Sequence, residues 1–115
     1  MAIPSPPEPD LARIRRWCAD RVPAAAQNRV RIECEVSGRD VTIVERHAPY
    51  GPHPGSEWTT SPSARLRYLK SRGVWRLYWP GSDERWHEYI DLPFARTVDE
   101  LLDEIDRDPT ALFWG

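Results

Sequence analysis

ARLRYLKSRGVWRLYWPGSDERWHEYID, residues 64–91, is the stretch that decides the fold. It holds two turn signals, Ser71-Arg72-Gly73 and Pro80-Gly81-Ser82-Asp83, between three runs in which large apolar residues alternate with polar ones. Alternation at period two marks strands buried on one side, and Gly73 can take the positive φ of a tight hairpin. The expected strands are 64–70, 74–79 and 85–90. Trp75, Leu77 and Trp79 share a side and are assigned to the core.

Upstream, Val30, Ile32, Cys34 and Val36 alternate with Arg31, Glu33 and Glu35, which predicts another half-buried strand. Ser37-Gly38-Arg39-Asp40 turns the chain into residues 41–46, giving a first hairpin. HAPYGPHPGSEWTTSP, residues 47–62, is read as a long loop on its four prolines and two glycines. Each end of the chain predicts a helix. Leu11, Ile14, Cys18 and Val22 recur at helical spacing after Asp10, a capping residue, and Trp17 widens that stripe until Pro23 ends it. Thr97-x-x-Glu100 is a capping box opening a helix with the stripe Val98, Leu101, Leu102 and Ile105, and Pro109 stops it.

The fold class expected is α+β: a five-stranded antiparallel meander sheet with an N-terminal and a C-terminal helix packed on one face. At 115 residues there is room for one core. Residues 1–9, rich in proline, read as a poorly ordered lead-in, and residues 10–115 as a single globular domain. The start MAIPSPPEPD lacks a signal-peptide pattern and no apolar run reaches membrane-spanning length, so the expected location is cytoplasmic and no membrane partner is expected.

Net charge is −2, but it is divided unevenly. Residues 1–79 carry 13 Arg/Lys against 8 Asp/Glu, while residues 80–115 carry 3 against 10. The plain reading is an acidic C-terminal helix beside a basic sheet. Cys18 and Cys34 form no CxxC pair and read as small buried hydrophobes.

Opposite the tryptophans, the strands carry Arg31, Arg46, Arg65, Arg67, Arg76, Tyr78, His87 and Tyr89. Of these Arg46, Arg65, Arg67, Arg76, Tyr78, His87 and Tyr89 are the binding-face candidates. Arginine forks and exposed rings suit a single-stranded nucleic acid. Glu33 and Glu35 on the same face weaken that field and supply an alternative, cross-strand ion pairs on an ordinary solvated surface. A one-residue bulge would exchange the two faces.

His47, His53 and His87, with Glu45, Glu57 or Asp83, could in principle serve a metal-assisted hydrolase, but no motif of short, recognisable spacing links them. Glycine-rich phosphate loops and the GxSxG elbow are missing, so no cofactor and no catalytic residue is assigned. Carboxylates of the last helix (Glu100, Asp103, Glu104, Asp106) are read as solvating groups opposite its apolar stripe. The tail Ala111-Leu112-Phe113-Trp114-Gly115 must be covered, by its own core as the favoured account or by a homodimer or partner contact.

LARIRRWCADRVP, VRIECEV, VTIVER, ARLRYLKSRGVWRLYW and LLDEIDRDPTALFWG, in that order, resemble the bacterial family known as domain of unknown function 3024. DPTALFWG and the W-x-L-Y-W strand are the more specific parts. The resemblance covers the chain from about residue 11 to its end and implies a small bacterial protein. It brings over no catalytic or binding residue. The expectation that remains is a non-enzymatic intracellular binding or accessory module contacting another protein, with single-stranded nucleic acid as the alternative ligand.

Overall fold

The computed structural model describes residues 5–49 and 57–114. Helix α1 (Glu8–Asp20) leads into a 3-10 turn at Ala24–Ala26, and five strands follow: β1 (Val30–Ser37), β2 (Asp40–His47), β3 (Thr59–Leu69), β4 (Val74–Pro80) and β5 (Trp86–Glu88). Helix α2 (Val98–Arg107) closes the order. The sheet runs β1-β2-β3-β4-β5 with every neighbour antiparallel, the expected α+β meander.

Both helices cover the same face. Leu11, Ile14, Trp17 and Cys18 of α1 join Val98, Leu101, Leu102 and Ile105 of α2 over Val41, Ile43, Leu66, Trp75 and Leu77 of the sheet. Large rings in that cluster place much of the burial in few side chains. Trp75 is 1% exposed and packs on Tyr68 with ring centres 5.3 Å apart.

Helix α1 begins earlier than the capping argument expects. Pro7 occupies the N-cap, and Asp10 lies in the first turn, where its carboxylate accepts a 3.3 Å hydrogen bond from Trp75 Nε1. Burying the indole left its N–H in need of an acceptor, and Asp10 is the side chain above it. Of the residues expected as a lead-in, Glu8 and Pro9 are helical and Pro6 is buried. At α2 the capping box forms as expected, with the Glu100 carboxylate accepting from Thr97 N at 3.2 Å.

The long loop expected over 47–62 is corrected at both ends. Strand β2 runs through His47, and β3 starts at Thr59, pairing Thr59 to Pro62 with β2. Pro62 is tolerated because β4 pairs with β3 only from Arg65 onward, so its missing N–H faces an open edge. The register shifts between Ile43 and Val44, where Ser63 is the additional residue of a bulge. Residues 50–56, His53 among them, lie outside the described residues.

The uneven charge is met within the molecule, though not between helix and sheet. Asp99 of α2 pairs with Arg13 of α1 at 2.7 Å, and Asp106 pairs with Arg21. The Arg21 guanidinium also lies over Trp17 and Trp114, 5.1 and 4.9 Å from the ring centres. The tail docks on its own core: Phe113 is 5% exposed and contacts Tyr89 at 5.0 Å. Asp108 holds it in place by accepting from the amides of Phe113 and Trp114 at 3.2 and 3.0 Å, and Trp114 Nε1 donates to the Ile105 carbonyl at 2.8 Å.

Candidate functional site

Because both helices take one face of the sheet, the other is left open, and register decides what it shows. Cross-strand partners share a face in an antiparallel pair. Arg31 pairs with Arg46, Thr42 with Arg65, Asp40 with Arg67, Arg65 with Tyr78, Arg67 with Arg76, Tyr78 with Glu88 and Pro80 with Trp86. Five of the seven candidates, Arg46, Arg65, Arg67, Arg76 and Tyr78, therefore stand together on the open face.

His87 and Tyr89 do not. The turn from β4 to β5 pairs Pro80 with Trp86 and Trp79 with His87. That register turns His87 and Tyr89 to the helix-covered side and brings Trp86 and Glu88 to the arginine side. One residue more or fewer in the turn would have produced the expected arrangement. His87 instead stacks on Trp79, ring centres 4.6 Å apart, and its Nε2 lies 2.9 and 3.0 Å from the two carboxylate oxygens of Asp83. The imidazole is the main reason the Asp83 carboxyl sits below its usual range. Gly81 permits this pairing, because a Cβ there would stand 2.4 Å from Asp83 Oδ1.

Tyr89 is 2% exposed, and its hydroxyl donates to Glu104 Oε2 at 2.6 Å. Glu104 also accepts from Arg107 at 2.8 Å and is itself buried, which corrects its reading as a solvating group. Burial first, and the Glu104 bond second, raise the Tyr89 phenol from 10.0 to about 12. The neutral phenol is thus favoured in the folded chain. Its stabilising contribution is complete below the ordinary tyrosine value and is lost as pH rises through 10.0 toward about 12. Thermal midpoints measured across that window should fall, and Tyr89→Phe should flatten the fall while costing about 1 kcal/mol at neutral pH.

On the open face nearly every guanidinium lies on a ring. Arg65 covers Trp86 at 4.5 Å, Arg67 covers Tyr78 at 5.1 Å and Arg76 covers Phe94 at 5.0 Å. Trp58 takes Arg31 at 4.5 Å and Arg46 at 5.8 Å. Trp58, Trp86 and Phe94 are the members that the sequence reading missed. Trp58 fell in the presumed loop, and the face of Trp86 depended on a turn length that strand periodicity does not set.

The arginines differ in how far they are neutralised. Arg67 holds Asp40 with two bonds of 2.7 and 3.1 Å, and this pairing raises its pKa. Arg76 meets Glu88 at 2.8 Å and Arg46 meets Glu33 at 3.5 Å. Arg65 donates to Thr42 Oγ1 at 3.1 Å, and Arg31 donates to the Gln27 carbonyl at 2.9 Å. Those two have no carboxylate partner among the described residues. Beside Trp86 the sheet edge opens into a groove of about 550 Å³ whose walls include Pro62, Pro80 and Arg85.

Among the described residues, the structure keeps His47 and His87 apart. His47 ends β2 and contacts Glu45 at 2.8 Å, whereas His87 lies on β5, with β3 and β4 between them. Among the described residues, no three His, Cys, Asp or Glu side chains are grouped to hold a metal ion. Among the described residues, no helix is long and apolar enough to cross a membrane.

A family model described as domain of unknown function (DUF3024) matches residues 4–115, and the chain belongs to that family. No curated protein and no solved structure matches it.

Proposed function

We propose that the chain is a non-enzymatic binding module whose open sheet face receives an extended, acidic segment of another protein. The observation that carries this reading is the pair Arg31 and Arg65, each lying over a tryptophan 4.5 Å from the ring centre and each without a carboxylate partner among the described residues. An arginine ordered by a ring and by one hydrogen bond keeps its remaining donors aimed outward, so a carboxylate can be met with little further loss of side-chain freedom. The groove edged by Pro62, Pro80 and Trp86 adjoins Arg65 and gives the same segment an apolar foothold.

A single-stranded nucleic acid would draw on the same arginines, but two features favour a protein. The five arginines share their face with Glu33, Glu35, Asp40 and Glu88, which keeps its field weak for a phosphate backbone. The rings that bases would stack on are already covered by guanidiniums.

The test compares the wild-type chain with an Arg31→Glu/Arg65→Glu variant by fluorescence anisotropy. One probe is a labelled twelve-residue peptide of glutamate, leucine and proline, and the other a labelled single-stranded oligothymidylate. The expected result is peptide binding that weakens at least about tenfold in the variant, as loss of two charge-assisted contacts implies. Equal peptide binding by both proteins removes the proposal. Oligothymidylate binding that collapses with salt, and with the double variant, replaces it with the nucleic-acid reading.

A further inference from the structure

The two cysteines, distant in sequence, meet in space on the side of the sheet away from the arginine face. Cys34 pairs with Ile43 and so points toward α1, where Cys18 is buried at 3% exposure. Both thiols are free and line one shallow cleft of about 420 Å³, together with Arg15, Gln27 and Glu33. Cys34 is the half-buried member of the pair at that cleft, and Cys18 the buried one.

We propose that Cys34 is a peroxide-sensitive thiol and Cys18 its resolving partner, so that oxidation closes a disulfide between α1 and β1. The chemistry suits the positions. The thiolate is the nucleophilic form, and an arginine beside a thiol favours it. The facing Cys18 thiol first, and the Arg15 guanidinium after it, hold the Cys34 pKa below the ordinary thiol value, against the opposing effect of burial. The same partnership, with burial, raises that of Cys18, so it remains the protonated member. Arg21 favours ionisation of Cys18 and Glu33 opposes it, but both effects are smaller than that of Cys34.

Hydrogen peroxide is the oxidant required. The Cys34 thiolate attacks one peroxide oxygen; an S–O bond forms, the O–O bond breaks, and hydroxide leaves to be protonated to water. Sulfur is oxidised to a sulfenic acid and the peroxide is reduced. Cys18 sulfur then attacks the sulfenic sulfur, the S–O bond breaks, and the departing hydroxide takes the Cys18 proton as a second water. The product ties the end of α1 to the middle of β1 and constrains the connector between them, which includes the 3-10 turn.

The experiment treats the reduced chain with one equivalent of hydrogen peroxide, blocks the remaining thiols and maps peptides without reductant. The expected product joins the Cys18 and Cys34 peptides within one molecule, and its thermal midpoint exceeds that of the reduced chain until dithiothreitol is added. In Cys18→Ala, dimedone should trap a sulfenic acid at Cys34. Arg15 is exposed, so Arg15→Gln should leave the fold intact while slowing alkylation of Cys34 by roughly threefold or more. The wild-type map decides the matter even if a variant misfolds. Thiols still alkylatable after peroxide, Cys34 carried directly to sulfinic acid, or disulfides only between molecules would each overturn the proposal.

Discussion

Trp75→Ala is expected to destabilise the chain by about 3–5 kcal/mol, the usual cost of removing a large buried ring. A loss of that size lowers the thermal midpoint by roughly 15 °C or more in a chain of this length. Three contacts vanish together: the ring's place under both helices, its packing on Tyr68, and the hydrogen bond to Asp10. The backbone of Trp75 also exchanges hydrogen bonds of 2.7 and 2.9 Å with Ala95, which seats the segment leading to α2. Urea unfolding followed by far-ultraviolet dichroism measures the effect. Trp75→Phe separates the contributions, since it keeps an aromatic ring but leaves the Asp10 carboxylate without its indole donor. A Trp75→Ala midpoint within a few degrees of wild type would mean that the core does not depend on this ring.

Phe113→Ala is expected to cost about 3 kcal/mol, the low end of the range for a buried aromatic, because it lies at the edge of the core near the chain's end. The ring packs against Tyr89, whose hydroxyl reaches the buried Glu104, so a cavity here also loosens that hydrogen bond. The informative companion is Asp108→Ala. It removes the acceptor that holds the amides of Phe113 and Trp114 while leaving both rings in place. If the tail is anchored as described, Asp108→Ala should cost less than Phe113→Ala but should speed hydrogen exchange at residues 113 and 114. Unchanged stability in Phe113→Ala would show that the tail contributes no core.

The fold was legible where periodicity and turn chemistry agreed. Val41, Ile43, Leu66, Trp75 and Leu77 recur at every second position of their strands, and the two hairpins carry Gly38 and Gly73 at φ of 58° and 63°. Two-sided patterning of this kind leaves few alternatives for a short antiparallel sheet. The stripe and capping box of α2 were equally plain. Less legible was the start of β3, because Pro62 argues against a strand unless one edge is known to be open. The missed beginning of α1 has a simpler cause. Asp10 is a good cap by type, yet Pro7 and Pro9 satisfy the first turn, and the carboxylate is drawn to Trp75.

The candidate face was read correctly on β2, β3 and β4 and incorrectly on β5. Strand periodicity says which residues of one strand share a side, but says nothing of how one strand is phased against the next. That phase rests on the turn of residues 81–85, where Gly81 accommodates the Asp83–His87 pair and Glu84 takes a φ of 64°. Glu104 shows the same limit within a helix. Its charge argues for solvent, and the Tyr89 hydroxyl together with the Arg107 guanidinium makes a buried position tolerable.

For the stretch 64–91, the residues by themselves determined three strands, two reversals and a tryptophan-lined core, since alternation and turn propensity are local properties. Tertiary structure alone decided which rings the arginines would cover, which guanidiniums would lack a carboxylate, and that Cys18 would meet Cys34. Those outcomes depend on the phase between strands and on the helix laid across them, and no local pattern encodes either.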